Sequence, residues 1–333
     1  MCKEQYADLI WDHDEAAHKK YKEHLAPIVL FTYNRLEHTK KTVAALQQNI
    51  YANDSELYIY SDGARDAKAL ASIEAVRKFL HTVDGFKSVQ IIERDRNWGL
   101  AENIIDGVTK IVNSHGKVIV LEDDIVTSRY FLKYMNDALE VYRDDSRIME
   151  VSGYMYPMDT KDLPETFFLK MGDCWGWGTW SRAWRSFERN PEELMKAFSA
   201  EEVYHFNLEG AEDFWAQVKA NVTGELHTWA VFWMAAIVRH DGLMLCSRES
   251  LSQNIGMDGS GEHCGQTGSY EANLKKEAIY SFPLLVAENK LARENLRQFF
   301  LHEHKNNRTL NKVYGGVKRR LQWLFQRIIG RFA

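Results

Sequence analysis

The 333 residues, 45% hydrophobic and 27% charged, suffice to bury a sizeable core, and the length lies between one large domain and two small ones. No stretch approaches the roughly 18 apolar residues that span a bilayer, and the longest apolar run, Trp229 to Val238, suits a buried helix. The first 25 residues are rich in charge and His without an apolar segment, so no secretory signal is expected and the cytoplasm is the default compartment. Cys2, Cys174, Cys246 and Cys264 lie far apart with no Cys-x-x-Cys pair, which argues against a thiolate zinc site or a disulfide framework. Net charge is −5, yet residues 305–333 hold eight Lys/Arg and no Asp/Glu, leaving −13 for the rest. That polarity points to a tail with its own partner. No nucleic-acid partner is expected.

From Pro27 to Ser152 short β-rich runs alternate with amphipathic stretches: IVLFTY, a helix over 37–49, LYIYS, a helix over 66–81, SVQIIE, a helix over 100–113, KVIVLE and a helix over 129–143. Such alternation implies βαβ units on a parallel sheet, whose ligands bind at the carboxyl ends of the strands. Four polar clusters fall there: Thr32, Tyr33, Asn34 and Arg35; Ser61, Asp62 and Gly63; Arg94 to Asn97 with Gly99; and Glu122, Asp123 and Asp124. No Gly-x-Gly-x-x-Gly follows a strand and no P-loop occurs, which removes the main support for dinucleotide and P-loop readings. Past residue 153 the pattern gives way to aromatic-rich segments.

The acidic triplet Glu122–Asp124 follows the apolar run VIVL, so three like charges crowd one loop mouth. Hard divalent ions such as Mn²⁺ or Mg²⁺ take carboxylates plus phosphate oxygens, and a bound diphosphate would complete the shell. A solvated acidic turn that caps the next helix is the plain alternative. Asp62 beside Gly63 suits acceptance from a uracil or ribose, although Asp-Gly is also an ordinary turn. Asn97 and Gly99 precede a helix whose N-terminus favours phosphate.

The ordered motifs FTYNR, SDG, NWGLAEN, LEDD and CWGWGTWSRAW resemble the GT-A glycosyltransferases, specifically bacterial enzymes of surface-polysaccharide clusters related to N-acetylglucosaminyltransferase I. The resemblance covers about residues 26–265. It implies an α/β GT-A fold, a Rossmann-like nucleotide-binding sheet with helices on both faces. Thr32, Tyr33, Arg35 and Asp62 would surround the nucleotide, with Asn97, Glu122 and Asp123 beside them and Asp124 as the metal ligand. A late His reaches the metal or diphosphate in many such enzymes, which would give His263 that role. The implied organisation is an N-terminal helical extension (1–25), a nucleotide-sugar-binding half (26–152), an acceptor-binding half of the same catalytic domain (153–304) and a basic tail (305–333).

Within CWGWGTWSRAW, Trp180 and Trp184 read as core, whereas Trp177 between two glycines reads as a platform for the apolar face of an acceptor sugar. The relatives place a base Asp at a Trp-Asp helix start, but here HTWAVFW puts Ala230 and Val231 at that point. Asp173, Glu225 and Asp258 are then the candidates for the base, with Asp173 first because it immediately precedes the Trp/Gly motif and Asp213 more distant. Two other classes compete: a Mg²⁺-dependent phosphate hydrolase, whose nucleophilic Asp would end the first strand, and a carbohydrate-binding protein that kept the fold without its base. The tail GVKRRLQWLFQRIIGRFA gathers Val317, Leu321, Leu324, Phe325, Ile328, Ile329 and Phe332 on one helical face with Arg319, Arg320, Arg327 and Arg331 opposite. Such a helix lies in a membrane interface beside a lipid-linked acceptor, at the inner face of the cell membrane. Packing on the catalytic domain or on a second subunit of a homodimer is the alternative.

Overall fold

The computed structural model describes Ala7, residues 9–259 and residues 268–305; His263 and the tail segment 317–332 lie outside the described residues. The chain enters through a short 3-10 turn (Ile10–Asp12) and α1 (Glu15–Lys22), capped by Asp14, whose Oδ1 accepts the Ala17 N–H. This segment is tied down by Asp137, which accepts from Tyr21 Oη at 2.6 Å and Trp11 Nε1 at 3.0 Å, and by Lys133, which donates to Asp12 and Asp137.

The first half supplies β1 (Ile28–Thr32), α2 (Leu36–Gln47), β2 (Glu56–Ser61), α3 (Leu70–Leu80), β3 (Ser88–Glu93), α4 (Leu100–His115), β4 (Lys117–Glu122), β5 (Ile125–Thr127), α5 (Phe131–Val141) and β6 (Ile148–Ser152). β1, β2 and β4 are apolar almost throughout because both faces of the parallel sheet are covered. Alternate residues go to opposite layers: Ile28, Leu30, Ile59 and Leu121 pack with α2, α3 and α5, while Val29, Phe31, Tyr60 and Val120 pack with α4. Fully burying one such side chain contributes about 2 kcal/mol relative to exposure. Helix α3 starts at Leu70 rather than 66 because the Asp66 side chain accepts the N–H groups of Lys68 and Ala69, an Asx turn that holds the chain out of helix there.

The second half continues the same sheet with β7 (Thr166–Leu169), β8 (Trp177–Trp180) and β9 (Leu243–Ser247). Strand order is β3-β2-β1-β4-β8-β6-β9-β7; β1 to β4 are parallel, and β8 is wedged antiparallel between β4 and β6. Helices α6 (Ser181–Trp184), α7 (Pro191–Ala197), α8 (Ala200–Phe206), α9 (Trp215–Thr223) and α10 (Ala230–Arg239) intervene, and a further helix spans 290–305. Strand β10 (Ser252–Asn254) pairs antiparallel with β5 and so returns the second half to the end of β4. The fold is the mixed α/β layering of a GT-A domain, a central sheet between helices. Among the described residues no helix is long and apolar enough to cross a membrane.

Candidate active site

In-register pairing of β1, β2, β3 and β4 brings Thr32, Ser61, Glu93 and Glu122 to one edge of the sheet. The polar clusters that follow these strands enclose a cavity of about 460 Å³. Thr32, Tyr33, Arg35, Asp62, Asn97, Glu122, Asp123 and Asp124 all line it, so every described residue expected around nucleotide or metal converges there.

Its acidic wall is built around one cation. Arg35 Nη2 donates to Asp124 Oδ2 at 2.7 Å and also to Asp123 Oδ1. Asp123 further accepts the Tyr33 N–H at 3.3 Å, and its carbonyl accepts from Thr42 Oγ1 at 2.8 Å. Burial pushes the Glu122 carboxyl well above the ordinary range, and the charges of Asp124 and Asp123 push it further. Burial also raises Asp123, against the pull of Arg35. For Arg35 burial acts downward, but the two aspartates outweigh it and keep the guanidinium charged. The Arg35–Asp124 pair lies under a glycine: a Cβ on Gly256 would fall 2.2 Å from Asp124 Oδ2 and 2.9 Å from Arg35 Nη1, so any other residue there would push the pair apart.

Arg35 leaves one acceptor over. Asp124 Oδ1 is buried without a hydrogen-bond partner, an expensive state unless a ligand satisfies it. No cluster of three or more His, Cys, Asp or Glu able to hold a metal occurs among the described residues. The donor set therefore fits a divalent ion held by one or two carboxylate oxygens, with phosphate and water supplying the rest, the mode preferred by Mg²⁺-like ions.

Asp62 departs from its expected part. Its Oδ1 accepts the N–H groups of Gly63 and Trp98, both at 2.8 Å, and its Oδ2 accepts from Gly99 N and Asn97 Nδ2, both at 3.0 Å. A carboxylate has about four acceptor positions, so Asp62 has none left for uracil or ribose. It instead clamps the Asn97–Gly99 loop as part of the cavity wall. Trp98 is held from the other side by Arg94, stacked 4.0 Å from its ring centre. Asn34, named with the first polar cluster, also lines the cavity, as do Arg65, Asp66, Lys68, Ser72, Asn103 and Asn254, which were not singled out by the sequence. The cations of the ARDAK segment directly after SDG could have been read as a phosphate-facing pair; Asn254 carries no local signal, since only the pairing of β10 with β5 brings it there.

Trp177 is not a sugar platform. It is fully buried at the start of β8, with ring centres of Trp229, Trp184 and Trp233 at 5.3, 5.7 and 6.0 Å, the middle of a four-tryptophan core. Trp180 and Trp184 are buried as expected. The half-buried indole of the motif is Trp175, edge-on to Tyr154 at 4.6 Å and Tyr270 at 5.9 Å. Its carbonyl accepts from Ser252 Oγ at 2.5 Å, on the strand that also carries Asn254 to the cavity.

The three base candidates separate clearly, although none lines the cavity at the strand ends. Asp173 is partly accessible beside Trp175; its Oδ1 accepts the Trp175 N–H at 2.8 Å, and the Tyr156 hydroxyl donates to the same carboxylate. Burial pushes it up to about 6 against these donors. Glu225 is exposed on the loop between α9 and α10, and Asp258 is largely exposed and paired with His38 at 3.2 Å, so neither is in the low-dielectric setting that tunes a base. Of Ala230 and Val231, where the resemblance implied an Asp, Val231 is buried in the core and Ala230 is partly buried at the start of α10.

A profile of the family described as "Glycosyl transferase family 2" matches residues 28–198, just over half of the chain. A search of curated proteins found no match. Similar solved structures include a mannosyltransferase, PcManGT, from Pyrobaculum calidifontis in complex with GDP-Man and Mn²⁺, at 10% identity over 70% of this chain and 76% of that one with a TM-score of 0.37. S. aureus TarS is similar at 12% identity over 68% of this chain with a TM-score of 0.39, and this chain spans 36% of its length. A TarS structure of residues 1–349 gives 10% identity, 70% and 61% coverage and a TM-score of 0.40.

Proposed function

Because the chain belongs to glycosyl transferase family 2, we propose that it moves a hexose or N-acetylhexosamine from a UDP-sugar to a glycan or lipid-linked acceptor, with inversion at the anomeric carbon. The observation that carries this reading is the cavity at the carboxyl ends of β1 to β4, where Arg35 neutralises two aspartates and Asp124 Oδ1 stays unpartnered. A diphosphate needs cations there, and a divalent ion at Asp124 would stabilise the departing negative charge as a Lewis acid. Arg65 and Lys68 at the cavity wall add positive charge for the phosphates, and Tyr33 and the Asn97–Gly99 loop enclose the nucleoside end.

On the acceptor side Asp173 is the base. Its carboxylate takes the proton of the acceptor hydroxyl as that oxygen attacks the anomeric carbon and the diphosphate leaves. A value near 6 keeps it ionised at pH 7 while bringing it closer to the operating range than an ordinary aspartate. Trp175 replaces Trp177 as the platform for the acceptor ring. A role in surface-polysaccharide synthesis and the kinship to N-acetylglucosaminyltransferase I rest on the ordered motifs. His263 as a further ligand and the tail as a cytoplasmic-face membrane contact rest on sequence alone.

A panel of UDP-, GDP- and other nucleotide sugars, scored by nucleotide release with Mn²⁺, Mg²⁺ or EDTA, tests the reading. UDP release that requires metal is expected; turnover of none of the donors would contradict transfer, and preference for another nucleotide would contradict the UDP assignment. Deleting residues 312–333 should release the protein from anionic vesicles and spare activity on a soluble acceptor. Loss of both, or retention on vesicles, would assign the tail to the folded body or to a dimer contact.

A further inference from the structure

A second carboxyl lies beneath the base. Glu150, on β6, is fully buried, and both of its oxygens are occupied by N–H donors from different elements. Oε1 accepts the backbone N–H of Asp173 at 2.8 Å, and Oε2 accepts the indole N–H of Trp233, on α10, at 2.5 Å. Among the described residues no Lys, Arg or His pairs with it. An acid buried without a cation is costly, whereas an apolar residue in the same volume is cheap, so stability alone gives no reason for Glu at 150.

The backbone is shaped to deliver this side chain. The pairing of β6 with β9 shifts register between Ile148 and Glu150, a bulge of the kind that re-aims a side chain beside a site. The segment ahead of Asp173 lies close against Glu150 and α10: a Cβ on Gly172 would fall 3.2 Å from Glu150 Oε2 and 3.2 Å from Met234 Cα. The bulge, the close approach at Gly172 and the Trp233 bond all fix the peptide that carries Asp173.

We propose that Glu150 is a positioning residue: locked by Trp233, it sets the backbone of Asp173 so that this carboxylate meets the acceptor hydroxyl. The inference rests on the reading of Asp173 as the base. The raised pKa of Glu150, caused first by burial, means that the neutral carboxyl still accepts through its carbonyl oxygen, so the link does not depend on its charge.

Kinetics on the full chain with saturating Mn²⁺ separate this role from a merely structural one. E150L removes the acceptor of the Asp173 N–H, and kcat should fall at least tenfold with donor KM and UDP affinity unchanged. E150Q keeps one oxygen for that N–H but turns an NH2 toward the Trp233 indole N–H, so its kcat should fall between those of E150L and the parent. Unchanged kcat in E150L, or a parallel loss of UDP affinity, overturns the proposal. If E150L does not fold, W233F, which keeps an aromatic ring but removes the N–H that locks Oε2, should still lower kcat at constant donor KM; full kcat there overturns it too. D173N run alongside identifies the level of failure. An active D173N removes the base reading and this inference together, whereas an inactive D173N with a fully active E150L removes only the role of Glu150.

Discussion

Two groups of buried carboxyls sit at the ends of strands in this molecule, and their surroundings differ in one respect. At the end of β4, Asp123 and Asp124 share the guanidinium of Arg35. Beside β6, Glu150 and Asp173 meet only N–H and hydroxyl donors. Where a cation is built in, its charge pulls against the burial that raises Asp123, which suits a place that handles phosphate and metal charge. Where none is present, only N–H and hydroxyl donors oppose the same effect of burial, and Asp173, the accessible one of the pair, is raised to about 6. The two groups thus differ in whether an arginine or only neutral donors face the acids.

The comparison breaks most readily at Asp124. Asp124→Ala should cost about a thousandfold in turnover with an unchanged circular dichroism spectrum; activity within tenfold of the parent would remove the site from the donor side. Asp173→Asn should lower kcat by at least about a hundredfold at constant donor KM, the scale of losing a general base, and a milder loss would reopen the choice of base.

Removing the cation itself tests the contrast directly. Arg35→Met leaves Asp123 and Asp124 buried and unpaired, at a cost of about 3 kcal/mol in denaturant unfolding at pH 7. The sign of the pH effect follows from linkage. Glu122 and Asp123 have folded-state values raised above their unfolded ones, so the folded state binds more protons and stability falls as pH rises between the two values. Arg35→Met should therefore recover part of its loss at pH 5, and an equal loss at both pH values would show that the arginine does not serve these acids.

The pH profile sharpens the other side. At saturating donor and Mn²⁺, kcat should fall about tenfold per unit below pH 6, where Asp173 becomes protonated, rather than below the ordinary aspartate value near 4. A profile flat down to pH 4.5 would contradict the assignment. The smallest effect is expected at the platform: Trp175→Ala should raise acceptor KM about tenfold with donor KM unchanged, whereas Trp177→Phe should lower thermal stability and leave both constants alone.

The donor side was legible in the sequence because it obeys a local rule. Polar residues directly after apolar strands of a parallel sheet must share an edge, and Thr32, Asp62, Asn97 and Glu122 do so once the strands are in register. What a side chain is doing at that edge depends on contacts the sequence does not display. Asp62 looks like a ligand-facing acid until the N–H groups of Trp98 and Gly99 arrive from another loop and fill it. The acceptor side obeys long-range pairings instead. CWGWGTWSRAW reads as a glycine-loosened loop, but its middle becomes β8, captured between β4 and β6, which buries Trp177 and leaves Trp175 just outside the strand. Glu150 was hidden for a related reason, since it lies in an apolar strand and meets the Asp173 N–H from 23 residues away in sequence.

The central claim, that the cavity takes a nucleoside diphosphate through a divalent ion at Asp124, is most directly tested by titrating UDP into the protein by calorimetry in Mn²⁺ and in EDTA. Binding at least tenfold tighter in Mn²⁺, lost in Asp124→Ala, is the predicted result. Equal affinity in both conditions, or a metal effect that survives Asp124→Ala, would contradict it.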